Sequence, residues 1–392
     1  MFRPAGMLNV SGDGQEAAMG TATAQEKYQS QVATGLEKAY GAPSLRRSVE
    51  LSSLRLVLFS DLHRGTRDGA DDFQRCERAY NAALAYYFEA GYTLCLLGDV
   101  EELWECRPSP VLEKYQHSYE LERKFLQAGR YWRIWGNHDD LWSFPDAVRK
   151  YLGSVGLEGP VWESLLLEVH DQGTRLGELF FIHGHQGASD VGPAARLFVR
   201  YVWRNWQRLT KMASTTPSKD WVLRQKHDVA LYRWALSKRD DPGVILFAGH
   251  THRPVFKAEN HVDKLTRELE ELAHEPEGAK RQARRQVLQA ELEWVRANQF
   301  QAPEAIRMEA PCYFNTGCCS FSAGFVTGLE IADGQVQLVR WPDRTDHPRP
   351  QVLNEEPADL RQCFAEIRRT RRPGREEVLP PPEPFPEGPA IH

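Results

Sequence analysis

The sequence has no run of about 18 apolar residues, so no segment is expected to cross a membrane as a helix. Its N-terminus, MFRPAGMLNVSGDGQEAAMG, lacks the basic-then-apolar order of a secretory signal, which argues against export. Cysteine is sparse and unpatterned. There are seven, an odd number, with no CxxC spacing. That excludes a disulfide framework and points to reduced thiols in a cytoplasmic protein. The adjacent Cys318 and Cys319 are read as a strand-end pair rather than metal ligands. An excess of positive charge is also lacking, with 49 Lys and Arg against 54 Asp and Glu. A net charge of -5 weighs against a nuclease or other broadly basic nucleic-acid binder. What remains is ordinary globular composition, 41% hydrophobic and 26% charged. A chain of 392 residues is long enough to bury a sizeable core.

Residues 1–50 are polar and carry no core-forming pattern; AQEKYQSQVATGLEKAYG within them could be a helix, and the segment otherwise reads as a tail or an early packing arm. From Leu54 the character changes. LRLVLF (Leu54–Phe59) is a short apolar run ending at Ser60-Asp61. YTLCLL (Tyr92–Leu97) ends at Gly98-Asp99, and YWRIW (Tyr131–Trp135) ends at Gly136-Asn137. Helical stretches lie between them, Phe73–Glu89 and Val111–Ala128, and the steps from Asp61 to Asp99 and from Asp99 to Asn137 are equal. Each is long enough for one crossover unit of a parallel sheet. Further strands are expected at Leu165–Val169, at Leu179–Ile182 before His183, and at Val244–Ala248 before Gly249-His250. Tyr313–Asn315, Phe325–Ile331 and Val336–Trp341 close the domain, with a hairpin turn at Asp333-Gly334. The domain is thus expected over 51–342. A Pro-rich tail follows over 343–392, read mostly as extended or disordered.

Five small motifs follow these apolar runs in order: Asp61-Leu62-His63, Gly98-Asp99-Val100-Glu101-Glu102, Gly136-Asn137-His138-Asp139, His183-Gly184-His185 and Gly249-His250-Thr251-His252. Each is weak alone. Together they deliver carboxylate, amide and imidazole donors past strand C-termini, where open α/β sheets place ligands. Two divalent cations about 3.5–4 Å apart can hold the attacking and leaving oxygens of a phosphoryl transfer. Such a pair needs a bridging carboxylate, and Asp99 is the candidate. Asp61 and His63 alternate along what reads as an extended segment, so both can face one cation, and His250 and His252 alternate likewise. Asn137 adds a neutral oxygen. A water bridging two cations is acidic enough to serve as hydroxide nucleophile. His138 directly follows a ligand and should point elsewhere, as an acid for the leaving oxygen or a phosphate contact. It needs a carboxylate to hold its tautomer. Glu102 is the choice, ahead of Glu101 and Glu105.

The five motifs resemble those of the calcineurin-like metallophosphoesterase superfamily: DxH, GDxx(D/E), GNH(D/E), HGx and GHxH, all intact over about Leu54–Trp341. The resemblance implies an α/β fold, a four-layered αββα sandwich with the motifs on loops at one end. It implies that Asp61, His63, Asp99 and His252 hold one metal, and that Asp99, Asn137, His183 and His250 hold the other. It favours His183 over His185 as ligand, leaving His185 to a supporting or substrate contact. His138 would be the acid or phosphate contact, oriented by Glu102. The wording SDLHRG, GDVEELWE and GHTHRP is similar to the branch containing UDP-2,3-diacylglucosamine hydrolase. That branch shows GNRD and HGD where this chain has GNHD and HGHQ. The metals implied are two divalent ions, Mn, Fe or Zn, with Mn the first choice.

Two segments exceed the bare pattern. In 194–240, Arg196, Arg200, Arg204 and Arg208 recur every four residues, beside a stripe of Phe198, Val202, Trp206 and Leu209. The stripe reads either as a helix packed on the core with a solvated basic face or as a cap whose arginines meet phosphate. A membrane-surface helix is a third reading. Arg64, His185, Arg200 and Arg204 are accordingly the candidates for substrate contact. In 257–311, Leu265, Leu269 and Leu272, then Leu288, Leu292 and Val295, are spaced as a helical hairpin broken near Pro276. It suits an arm for homo-oligomerisation or a lid. The expected activity is hydrolysis of a phosphorylated small molecule: a phosphomonoester, a phosphodiester or a pyrophosphate such as a UDP-sugar. A protein phosphatase shares the same cage. A non-catalytic scaffold would normally have lost ligands.

Overall fold

The computed structural model describes residues 24–188, 217–240, 243–256, 310–320, 324–343, 349–354 and 356–370, with scattered positions between 269 and 289. Two sheets organise the chain. The first is built around a parallel core, β2 (Arg55–Phe59), β3 (Thr93–Leu97) and β4 (Tyr131–Ile134). On the other edge of β2 runs antiparallel β10 (Val326–Ala332), followed by β11 (Gln335–Trp341) and β12 (Gln351–Val352). The short β13 (Ala358–Asp359) also pairs with β11. The second sheet has the order β1 (Leu45–Glu50), β5 (Ser164–Asp171), β6 (Thr174–Ile182), β7 (Val244–Ala248), β9 (Tyr313–Thr316) and β8 (Pro254–Val255).

Period-two alternation sorts the strand side chains into two cores. Leu56 and Leu58 point into a core shared with Leu165, Phe181 and Leu246 of the second sheet. Their neighbours Val57 and Phe59 point the other way, onto α2 (Phe73–Glu89) and α4 (Gln116–Gln127) through Tyr80, Tyr87 and Phe125. Beyond the second sheet lie α1 (Ala24–Gly41) and α6 (Pro217–Ser237), with Val32, Leu36, Leu231 and Ala235 buried. The order of layers is therefore helix, sheet, sheet, helix, as the resemblance implied. Asp333-Gly334 is a two-residue turn with both residues left-handed, at φ 54° and 78°, the geometry that matches the twist of β10 and β11.

Four expectations need correction. The helix expected over Val111–Ala128 is two, α3 (Pro108–Lys114) and α4, broken at Tyr115 with φ -118° and ψ 32°. The break turns the Tyr115 ring inward, where it meets Phe73 at 5.2 Å and donates to Asp71 at 2.6 Å. Of the two readings of residues 24–50, the tail is the one to discard and the packing arm the one that holds: α1 is a layer of the sandwich and β1 pairs in parallel with β5. Nor does the structured chain end at 342. Beyond β12 and β13, helix α7 (Leu360–Arg369) buries Leu360, Cys363, Phe364 and Ile367. That apolar stripe of helical period was masked by the charged residues around it. Its cap is Asp359, which accepts from the Arg361 and Gln362 amides. Finally, the segment 194–240 does not simply interrupt the core, because Val229, Leu231, Tyr232, Trp234 and Leu236 of α6 are buried in the outer helical layer.

The Arg200 and Arg204 stripe lies outside the described residues, as does most of the 257–311 hairpin; of the latter, Leu269, Leu272 and Leu288 are helical. α5 (Pro145–Tyr151) follows the Asn137 loop. Among the described residues no helix is long and apolar enough to cross a membrane. All seven cysteines are buried and none is joined in a disulfide, and Cys318-Cys319 lie one residue past the end of β9.

Candidate metal centre

Both sheets end their parallel strands toward the same place. Asp61 follows β2, Asp99 follows β3, Asn137 follows β4, His183 follows β6 and His250 follows β7. The turns they occupy are not extended, contrary to the alternation read from the sequence. Asp61, His63, Asp99, His250 and His252 all have left-handed backbones, with φ of 53°, 49°, 52°, 68° and 56°. Non-glycine residues adopt this region at a cost of about 1–2 kcal/mol each and only where surrounding contacts impose it. Here cross-loop hydrogen bonds do so. The amides of Asp61, His63 and Arg64 donate to the carbonyls of Gly98, Asp99 and Val100 at 3.1, 2.9 and 3.0 Å. Asp139 pins the third loop to the second, its carboxylate accepting from the amides of Gly136, Val100 and Asp99 at 2.6, 2.9 and 3.2 Å.

The side chains form two donor groups that share a wall. Asp61, His63 and His252 make one, Asp99, His183 and His250 the other. In the first, His252 Nε2 is 3.1 Å from Asp61 Oδ1 and 3.1 Å from His63 Nε2. In the second, His183 Nε2 is 3.1 Å from Asp99 Oδ2 and 3.2 Å from Asn137 Oδ1. Asp99 Oδ2 is also 3.8 Å from His63 Nε2, so this oxygen stands between the groups.

Hydrogen bonds fix the tautomers. The Leu97 carbonyl can only accept, so His183 Nδ1–H donates to it at 2.7 Å and Nε2 presents its lone pair. Glu102 Oε2 takes the Nδ1 proton of His63 at 3.1 Å with the same result. Lone pairs thus converge, and the buried Asp61 Oδ1 has no hydrogen-bond partner. An orphaned buried carboxylate oxygen facing imidazole nitrogens is unfavourable without a cation between them. The donor set, carboxylate, amide and imidazole, fits borderline divalent metals.

The charge balance follows from these contacts. Burial works against the charged imidazole of His183, but Asp99 outweighs it and raises the pKa to about 9. Burial opposes the Asp99 carboxylate, and the flanking His183 and His138 hold its pKa low all the same. His250 goes the other way, pushed down by burial and by its imidazole neighbours His227 and His183.

His138 lies just outside the donor groups. Its amide donates to Asp99 Oδ1 at 2.8 Å, and its Nδ1 is 2.7 Å from Glu102 Oε2. Its side chain keeps 24% of its surface exposed, enough to meet a substrate. Of the three acids considered, Glu102 is beside it. Glu101 faces away, accepting from Trp142 Nε1 at 2.8 Å and from Arg133. Burial opposes the charged form of both partners, but the pair overcomes it: Glu102 is lowered to about 2 and His138 is raised.

Arg64 must be reassigned. It was a candidate for substrate contact, yet its side chain is fully buried. It pairs with Glu122 and sits among Phe73, Tyr80 and Tyr119, its guanidinium carbon 4.5 Å from the Tyr119 ring centre. Its backbone is held against the second loop, the Arg64 amide donating to the Val100 carbonyl and the Glu102 amide to the Arg64 carbonyl, both at 3.0 Å. His185 is beside the second group, its ring 5.4 Å from His183 and 6.3 Å from His250, and burial depresses its pKa to about 3.

Three contributors escaped sequence reasoning. Trp104 stacks on His138 with ring centres 4.0 Å apart; its position two residues past Glu102 in GDVEELWE was the available signal. His227 on α6 brings its ring within 4.9 Å of His250, and no local motif marks it. Arg224, one turn earlier, donates to the Thr251 carbonyl at 3.2 Å within the GHTH loop.

The fold and the two donor groups define a metal-dependent phosphoester hydrolase of the sandwich type. A family model described as calcineurin-like phosphoesterase matches residues 54–254, just over half of the chain. The chain belongs to that family, whose members hydrolyse phosphoesters with metal ions. A search of curated proteins returns no match.

Proposed function

We propose that this chain hydrolyses a small phosphorylated molecule, a phosphomonoester, phosphodiester or nucleotide-type pyrophosphate, with two divalent cations. Asp61, His63, Asp99 and His252 would hold one and Asp99, Asn137, His183 and His250 the other, with Asp99 shared between the two groups. The observation that carries this reading is the position of Asp99 Oδ2, 3.1 Å from His183 Nε2 and 3.8 Å from His63 Nε2. A bound pair would supply Lewis acidity toward the phosphate and lower the pKa of water between the ions. The remaining work falls to the protein. His138 donates a proton to the leaving oxygen, or a hydrogen bond to the phosphate, through its outward Nε2–H, while Glu102 holds Nδ1–H. Arg224, at the edge of the GHTH loop, replaces Arg64 as the positive side chain placed to meet a substrate phosphate. Mn²⁺ is the first choice of metal; Fe and Zn suit the same donors.

The test is to load the purified protein with Mn²⁺ and assay p-nitrophenyl phosphate, bis-p-nitrophenyl phosphate, UDP-sugars and single-stranded DNA. Turnover of one of the first three, abolished by Asp99→Asn, is the expected result. Retained turnover in Asp99→Asn would overturn the bridging role, and preference for DNA would overturn the substrate class.

A further inference from the structure

The loop Gly184–Gly187, which follows the ligand His183, is gripped from behind by an element outside the family match. Residues 24–53 precede the matched span, yet α1 packs directly on this loop. Three contacts make the grip. First, His227 Nε2 lies 2.7 Å from the Gly184 carbonyl. That carbonyl can only accept, so Nε2 carries the proton and the neutral ring offers its Nδ1 lone pair. Second, Tyr28 of α1 fills that position, its hydroxyl 2.7 Å from His227 Nδ1. Third, backbone meets backbone. A side chain at Gly35 on α1 would come within 2.5 Å of the Gly187 amide, and one at Gly187, whose φ is 76°, would collide with the Gln31 carbonyl. The chain Tyr28–His227–Gly184 is therefore continuous, and it runs from α1 through α6 to the residue joining His183 and His185. The His227 ring also stands edge-on to His250, at 70°.

The grip is one-sided. His183 and His250 both belong to the second donor group, and among the described residues the hydrogen bonds and ring contacts of Tyr28 and His227 reach none of Asp61, His63 and His252. α1 itself is anchored on α6 at its far end, where Lys238 Nζ and Trp234 Nε1 donate to Glu37 at 2.7 and 3.2 Å. We propose that α1 is a built-in clamp for the second metal, with Tyr28 and His227 as positioning residues that hold the His183 loop and the His250 ring in ligating geometry. The clamp rests on the two-metal reading above and adds to it a residue pair that tunes one site alone. Groups supporting a metal's own ligands commonly change its affinity by about 10–100-fold.

The test is a calorimetric titration of Mn²⁺ into the metal-free protein, with His252→Ala used to identify which limb belongs to the first site. His227→Ala should weaken the second site at least about tenfold and leave the first within about twofold. His227→Gln, which keeps a donor near the Gly184 carbonyl, should recover most of the loss. Tyr28→Phe should weaken the same site by a smaller factor and decides the matter if His227→Ala does not fold. Equal losses at both sites, no loss, or failure of the glutamine variant to recover would overturn the clamp. Fewer than two sites in the unaltered protein would overturn the two-metal reading itself.

Discussion

Glu102 Oε2 lies 2.7 Å from Nδ1 of His138. The same oxygen is 3.1 Å from Nδ1 of His63. One carboxylate thus contacts both a histidine of the first donor group and the histidine proposed to act on substrate, and its loss should be felt in both.

The first consequence is a pH effect. His138 is raised because the Glu102 and Asp99 charges overcome the effect of burial. An acid catalyst works only while protonated, so activity falls as pH rises through its pKa. Glu102→Gln removes a negative charge and lowers that pKa. The alkaline limb of the pH–kcat profile should move to lower pH by about one unit, equivalent to about 1.4 kcal/mol of lost interaction. An unmoved alkaline limb would show that His138 is not the titrating acid.

His138→Ala should cut kcat by about 10²–10⁴-fold, the usual range for a positioned proton donor. Metal content, read by elemental analysis, should stay the same, because His138 is not needed by either donor group. Loss of metal in that variant would make His138 a ligand.

Arg64 should matter for stability and not for KM. Its partner Glu122 is buried and also accepts from Tyr80 Oη at 3.0 Å. Arg64→Met strands that charge and should cost about 3–5 kcal/mol in denaturant unfolding. Adding Glu122→Gln should recover part of the loss, a coupling that a double-mutant cycle reads directly. A raised KM with unchanged stability would restore the surface role expected of Arg64 from its place in the motif.

Stripping divalent ions with a chelator should lower the melting temperature, and Mn²⁺ should restore it. Binding to the native state alone adds about 2.7 kcal/mol at a hundredfold excess over Kd. Magnesium at the same concentration should restore less, because it favours oxygen donors over imidazole. Indifference of the melting curve to all divalent ions would contradict the convergence of donors on an unpaired Asp61 oxygen.

The chain order of strands and motifs was legible because strand C-termini, small hinge residues and donor residues are adjacent in sequence. β7 and α2 begin and end where their apolar pattern does. The α7 stripe was missed because its four apolar residues lie among charges and just ahead of a proline-rich end, so local composition outweighed periodicity. α1 was legible as a possible helix, but not its place in the sandwich, because its buried residues, Val32, Leu36 and Ala39, are few and its helix is otherwise polar.

The sequence by itself determined the chemistry available at the site: which donors occur, in what order, and that they follow parallel strands. Tertiary structure alone decided how they are used. The left-handed turns at Asp61, His63 and Asp99 are held by hydrogen bonds between loops far apart in the chain, and the His250 amide donates to Asp61 Oδ2 at 2.9 Å across a similar gap. Those contacts bury Arg64, bring Glu102 to two histidines at once, and leave Asp99 between two donor groups. His227 and Tyr28, 199 positions apart in the sequence, meet beside the same loop, a contact set by how the outer helices pack on the second sheet.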